Sequence, residues 1–346
     1  MKLLVITQTV DLNDDVLGSF HVWLKELAKN CDSLLVICLR RGQFDLPANV
    51  KVLSLGKESG YSRLKYLKRF FKYLWQYRHD YDRVFVHMNP IYIILAGWWW
   101  RLSDKSVALW YTHRQVDLKL RIAAYFSNII FTAAPESFRL KSKKIKVVGH
   151  GIDVESFKCG TPKSNQVFTI LHIGRLTPIK NCDTLIIAAG FLKTILNQPF
   201  KVVFVGAAVT TSDQVYAGQL REQVKILGLE DIISFVGSVP NRLICDYYCQ
   251  ADLTVNLTPT GGIDKAVLES MAAGLPVLTS NQAFRDYFGI YADRLIFTLR
   301  DAKDLADKIS TVIISDRAPI ANYLQQVVKE RSDVSSLINK IITLWL

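Results

Sequence analysis

Runs of five to eight residues, rich in Val, Ile and Leu and without polar alternation, recur along this chain between longer amphipathic stretches. No other feature narrows the fold so far. An alternating strand buries one face. A strand that is apolar throughout buries both, as parallel strands do when helices cover the two sides of a sheet. In the first half the runs are LLVIT (3–7), SLLVICL (33–39), KVLSL (51–55), RVFVHM (83–88), SVALWYTH (106–113), IIFTA (129–133) and KIKVVGHG (144–151). In the second half they are FTILHIG (168–174), KVVFVG (201–206), ISFVG (233–237), DLTVNLT (252–258), PVLTS (276–280) and RLIFT (294–298). Segments such as 19–30 and 61–78 carry helical periodicity between them. Two successions of strand, helix and strand predict an α/β protein with two Rossmann-like, doubly wound parallel sheets. The polar, aperiodic stretch around 151–167 separates them. The expected division is 1–155, 156–330 and a closing helix over 331–346 that returns to the first domain. Open parallel sheets bind ligands at the carboxyl ends of their strands, so two that face each other would enclose a ligand cleft.

Composition excludes several alternatives. The chain has 346 residues, half of them hydrophobic and only 21% charged, which is far from the balance of a disordered chain. The longest apolar run, Ile91 to Trp100, has ten residues, whereas a bilayer-spanning helix needs about 20. The opening MKLLVITQTVDLNDD is too short in its apolar part for a signal peptide and reads as a buried first strand. Six cysteines at 31, 38, 159, 182, 245 and 249 form no CxxC pair, which predicts reduced thiols in a cytoplasmic protein. Charge is lopsided: residues 1–150 hold 24 Lys and Arg against 12 Asp and Glu, while the remainder is balanced. Such asymmetry points to an anionic partner for the first half.

Two stretches of the second half carry chemistry. Gly174 ends a strand and permits a tight turn, and Arg175 and Lys180 bracket the start of the next helix, expected to open at Asn181 or Asp183. Cations beside a helix N-terminus suit a diphosphate, although an ordinary turn with two solvated cations would look the same. Further on, Gly261 and Gly262 precede a helix that carries Glu269, and Gly274 and Pro276 stop it. The glycine pair would let backbone N–H groups approach a ligand. Glu269 would accept bonds from a sugar diol, or else lie on the surface of an Ala-rich helix.

Together and in this order, GRLTPIKN (174–181), FVGSVP (235–240) and GGIDKAVLESMAAGLPVLTSN (261–281), with VVGHGIDVESF (147–157), resemble the family-4 retaining glycosyltransferases of the GT-B fold. Gly18 before the first helix, HMNP (87–90) and YTHR (111–114) fit the same layout. The resemblance implies sugar transfer from a nucleotide diphosphate donor with retention, no metal and no other cofactor. It implies donor contacts from Gly18, Gly174, Arg175, Lys180, Val236, Gly261, Gly262, Ile263 and Glu269. Arg175 and Lys180 would stabilise the leaving diphosphate, Glu269 would hold the ribose, the stretch around Val236 would face the base, and His113 would lie near the transferred sugar. The family's usual glutamate eight residues before Glu269 is Gly261 here. Asp264 is the residue expected to reach the sugar instead, which leaves the donor sugar undefined.

Residues 61–78 add a partner. Leu64, Leu67, Phe70, Phe71 and Leu74 recur as an apolar stripe, with Lys65, Lys68, Arg69 and Lys72 opposite. Such a helix either lies on an anionic membrane surface or packs its stripe on the sheet with a solvated basic face. Trp98, Trp99 and Trp100 offer a second aromatic anchor or a buried cluster. The acceptor expected from this is a glycan or lipid-linked molecule at the inner face of the membrane. A soluble acceptor and a nucleotide-sugar epimerase are the alternatives. A nucleic-acid-modifying protein fits less well, because no nucleic-acid motif accompanies the charge.

Overall fold

The computed structural model describes residues 1–14, 16–159 and 167–346, so part of the expected 151–167 linker lies outside the described residues. The chain forms two units. The first comprises Met1–Gly151, Pro240–Arg242 and Val334–Leu346, and the second Ile152–Val239 and Leu243–Asp333.

The first unit is built on seven parallel strands: β1 (Lys2–Val10), β2 (Ser33–Arg41), β3 (Val50–Ser54), β4 (Arg83–His87), β5 (Ser106–Trp110), β6 (Ile129–Thr132) and β7 (Ile145–Val147). Their order is β3-β2-β1-β4-β5-β6-β7, so the winding reverses between β1 and β4. Leu3 to Ile6 of β1 have no exposed surface, which is why this run carries no polar alternation. Each such side chain contributes roughly 1.5–3 kcal/mol on burial. One face of the sheet is covered by α2 (Arg63–Gln76), α3 (Ile91–Leu102) and α4 (Leu118–Phe126), which share a core with Leu4, Ile6, Val84 and Val86. Ser62 and Asp117 cap α2 and α4 through Lys65 N and Leu120 N. Helix α1 (Phe20–Lys29) packs with the last helix of the chain, Val334–Trp345. That helix is pinned by Trp345, whose Nε1 donates to Ser106 Oγ (2.8 Å) and whose carbonyl accepts from Arg83 (2.8 Å).

The second unit has five parallel strands: β8 (Phe168–Ile173), β9 (Phe200–Val205), β10 (Ile233–Gly237), β11 (Leu253–Asn256) and β12 (Val277–Thr279). Their order, β10-β9-β8-β11-β12, reverses between β8 and β11. Helices α5 (Cys182–Ile195), α6 (Thr211–Ile226), α7 (Ile244–Cys249), α8 (Lys265–Ala272), α9 (Arg285–Phe288), α10 (Ala292–Leu295), α11 (Ala302–Ile314) and α12 (Ala318–Ser332) surround it, and the last helix of the chain is α13.

Local expectations are corrected or resolved as follows. RLIFT (294–298) is not a strand: α10 runs to Leu295, and only Ile296 bridges Thr279. The apolar stripe of α2 is not one face. Phe70 and Leu74 are buried, whereas Leu64 (72% exposed), Phe71 and Trp75 (65%) lie on the outer surface among Lys65, Lys68 and Lys72. Arg69 leaves the basic face, because its guanidinium bonds Tyr73 Oη at 2.7 Å and sits over the Tyr61 ring. The tryptophan triplet is divided: Trp100 is buried and donates to Tyr81 Oη, while Trp98 is half exposed. Finally, the cysteines are not all reduced. Cys159 and Cys249 form a disulfide with Cα atoms 5.3 Å apart. Ninety positions separate them, and only the fold brings them together. No helix among the described residues is long and apolar enough to cross a membrane.

Candidate functional site

At the point where the second sheet reverses, β8 and β11 deliver polar loops side by side from their carboxyl ends. β8 ends at Ile173, and Gly174 N–H still bonds Val205 O (2.9 Å). The chain leaving β9 passes so close that a Cβ on Gly206 would lie 2.0 Å from the Gly174 carbonyl oxygen. Gly206 also holds a φ of 138°, so glycine is required there. A 3-10 turn, Pro178–Lys180, then leads into α5. Asn181 stands at the cap position in the left-handed region, φ 46°, yet its side chain does not cap. Its Nδ2 instead donates to Leu257 O at 3.2 Å, tying the α5 start to the loop after β11.

This turn aims Lys180 at that loop. Lys180 Nζ donates to Asp264 Oδ2 (2.6 Å) and Thr258 Oγ1 (2.8 Å). Asp264 Oδ2 also accepts from Asn256 Nδ2 (3.0 Å) and Thr258 Oγ1 (2.9 Å), and the Asp264 side chain caps α8 through Ala266 N. The Lys180 and Asp264 side chains are 17% and 18% exposed. Burial alone would push the Asp264 carboxyl up. The Lys180 ammonium and the Asn256 and Thr258 donors outweigh it and hold the carboxyl well below the usual carboxylate range. His172 lies beneath, its Nδ1 bonded to Val255 O (2.9 Å), and burial pushes it down to about 4, so it is neutral at pH 7. Arg175 differs from Lys180: it is exposed and makes no hydrogen bond or ion pair among the described residues.

Glu269 is not a surface residue. On α8 it is 5% exposed, and Tyr248 Oη donates to its Oε2 at 3.0 Å. Burial raises its pKa, against the opposing pull of Lys265 and Tyr248. Its Oε1 receives no hydrogen bond among the described residues.

The other expected residues fall as follows. Gly261, Gly262 and Ile263 form the half-buried loop before α8, with Gly262 O held by Asn281 Nδ2 (2.7 Å). Val236 is 43% exposed on the edge strand β10, beside Phe235, which stacks on Phe204. Gly18 and His113 belong to the first unit, beyond the carboxyl ends of β1 and β5. A Cβ on Gly18 would meet Asp14 O at 2.5 Å, so its own turn already demands glycine. His113 is exposed, and its Nδ1 accepts from Gln115 N. The second unit therefore gathers Gly174, Lys180, Gly261, Gly262, Ile263 and Asp264 into one cluster. Asn256, Thr258 and Asn281 belong to it too, Tyr248 holds Glu269, and these four escape the sequence reading. The available signal was the polar pair Asn256 and Thr258 at the end of an otherwise apolar strand.

Residues 153–331 match the family described as "Glycosyl transferases group 1". Mannosylfructose-phosphate synthase of Agrobacterium fabrum is 29% identical over 157 residues, 42% of this chain and 34% of the relative. Alpha-monoglucosyldiacylglycerol synthase of Streptococcus pneumoniae is 26% identical over 148 residues, 42% of this chain and 32% of the relative. The chain thus spans about a third of the length of these relatives. Among solved structures, Anabaena Alr3699/HepE in complex with UDP superposes with a TM-score of 0.78 at 20% identity, covering 99% of both chains. At that identity it is the fold that is shared: two doubly wound parallel-sheet units, the GT-B fold expected from the sequence. With a family match over more than half of its length, the chain belongs to the group 1 glycosyl transferases.

Proposed function

We propose that this chain is a retaining, family-4 glycosyltransferase that moves a sugar from a nucleoside diphosphate sugar to a glycan or lipid-linked acceptor at the cytoplasmic face of a membrane. The pair Arg175 and Lys180, set at the switch point of the family-matched sheet, carries this reading. As the glycosidic bond of the donor breaks, negative charge accumulates on the leaving diphosphate, and preorganised cations lower that barrier. Arg175 is exposed and has no partner among the described residues. Lys180 has two N–H groups committed to Asp264 and Thr258, which fix the direction of the third. Asp264, the carboxylate that touches Lys180, is already ion-paired, which supports charge neutralisation by side chains without a divalent ion. In this reading Glu269 accepts a ribose hydroxyl, which the absence of any hydrogen bond to its Oε1 among the described residues supports. In the same reading Gly18 lets backbone approach the phosphates, His113 contacts the sugar and Val236 borders the base. The UDP complex of the Anabaena protein supports a nucleoside diphosphate as ligand. A thermal-shift titration tests this: a saturating nucleoside diphosphate at 100 times its Kd adds about 2.7 kcal/mol, or roughly 5–10 °C. No shift with any nucleoside diphosphate or its sugars would sink the assignment. Activity should survive EDTA. Loss with EDTA and recovery with magnesium or manganese would refute side-chain neutralisation.

The outer face of α2 supports membrane attachment. Leu64, Lys68, Phe71 and Trp75 follow one another at helical spacing on it, with Lys65 and Lys72 alongside. The apolar and cationic side chains point the same way, so the buried stripe on Phe70 and Leu74 no longer competes with a lipid contact. Lys65→Gln, Lys68→Gln and Lys72→Gln together should weaken binding to anionic vesicles roughly a hundredfold, at on the order of 1 kcal/mol per cation. Binding should fall as salt rises. Equal co-sedimentation of variant and wild type at low salt would favour the soluble-acceptor alternative.

A further inference from the structure

The disulfide of the second unit has a third sulfur beside it. Cys245 and Cys249 are one turn apart on α7, with Sγ atoms 3.7 Å apart, and the Sγ atoms of Cys159, Cys245 and Cys249 all lie within 4.8 Å of one another. Cys245 is not part of the disulfide.

The elements that carry the three sulfurs are held by contacts other than the S–S bond. Helix α7 is anchored by Tyr248, 1% exposed, whose hydroxyl bonds Ala266 O and Glu269. The 3-10 turn before Cys159, Glu155–Phe157, is anchored by Phe157, whose ring meets Tyr248 edge-on at 5.8 Å. Reduction of the bond would therefore leave three thiols converging on one point. A tetrahedral thiolate site with metal–sulfur bonds of about 2.3 Å needs sulfurs about 3.8 Å apart. Cys245 and Cys249 stand at that separation already. A cavity of about 510 Å³, lined in part by Cys159, Cys249, Asp252 and Arg317, opens beside the cluster. It gives a cation an access path and a place for water as the fourth ligand. This cavity lies at the amino ends of β11 and β12, since Asp252 and Pro276 line it, whereas the Lys180 cluster sits at their carboxyl ends.

We propose that Cys159, Cys245 and Cys249 form a redox-gated binding site for a thiophilic divalent cation of the zinc class, closed by the Cys159–Cys249 disulfide and opened by a thiol or phosphine reductant. Opening consumes two electrons and two protons and yields two thiols as the reductant is oxidised. Cation binding then displaces the three thiol protons as three metal–sulfur bonds form. Soft thiolate ligands select zinc or cadmium over magnesium or calcium.

Cadmium is the probe, because its thiolate complexes absorb in the ultraviolet. The full-length chain is titrated after oxidation and, separately, after reduction with a phosphine that is then removed without air. The reduced protein should take up one cadmium per chain with a thiolate charge-transfer band, and the oxidised protein none. Cys245→Ser should weaken that uptake more than tenfold while alkylation and mass mapping still find Cys159 joined to Cys249 after oxidation. Cys182→Ser, which alters a buried thiol outside the cluster, should leave uptake unchanged. Reduced wild type that takes up no cadmium, equal uptake by both redox forms, or unweakened binding in Cys245→Ser would each overturn the site. None of these measurements uses nucleotide, sugar or acceptor, so their outcome is independent of the glycosyltransferase assignment.

Discussion

Lys180→Ala and Arg175→Ala should each lower turnover by roughly 10²–10³, the usual cost of deleting one preorganised group that stabilises developing negative charge. The two should part in stability. Arg175 is exposed and unpaired, so its loss should change unfolding free energy by less than about 0.5 kcal/mol. Lys180 removal deprives the largely buried Asp264 carboxylate of its ion-pair partner, and that costs stability as well as rate. The pH dependence follows from the depressed Asp264 pKa. In wild type the contribution of the pair is fully present above the ordinary carboxylate value of 3.8 and is lost as pH falls below it toward the lower folded-state value. Lys180→Ala should flatten that acid limb of the unfolding curve, while Arg175→Ala should keep it. Turnover near wild type in both variants would remove the diphosphate clamp from this site.

Substitution of Asp264 should separate two roles. Asp264→Ala removes the counter-ion of Lys180 and the α8 cap together and should cost on the order of 3 kcal/mol. Asp264→Asn removes the charge and leaves one acceptor oxygen, which can serve the α8 cap or the Lys180, Asn256 and Thr258 donors but not both, so its stability should fall between wild type and the alanine variant. Binding then distinguishes a sugar contact from a lysine-holding role. A carboxylate that touches the donor sugar would matter for a nucleoside diphosphate sugar and not for the diphosphate alone. Among the described residues the Asp264 side chain bonds Lys180, Asn256, Thr258 and the α8 backbone, so Asp264→Asn should weaken both ligands by the same factor. A defect confined to the sugar-bearing ligand would return Asp264 to direct contact with the sugar.

Much of the framework was legible in the chain. The runs LLVIT and SLLVICL became neighbouring central strands in register, Leu4 beside Leu35 and Val5 beside Val36. GRLTPIKN did lead from a strand into a helix, as the glycine and the downstream apolar periodicity demand. Ser62 and Asp117 sit where their short polar side chains can close a helix. These features depend on neighbours a few residues away, and a sequence read in order contains them.

Long-range pairing was not legible. Lys180 and Asp264 are 84 positions apart, and each was expected to contact a different part of the donor; their ion pair exists because the reversal of strand order puts the loops after β8 and β11 side by side. Helical spacing put Leu64 and Phe71 in one apolar stripe with Phe70 and Leu74 and left its burial open; the sheet beneath decided that Phe70 and Leu74 face inward while Leu64 and Phe71 stay exposed. The same holds for Cys159 and Cys249. What the sequence determined by itself was periodicity, turn chemistry and charge balance, each a property of adjacent residues. What only the tertiary structure decided was which distant side chains meet, because that depends on the packing of whole elements, to which every residue of the core contributes.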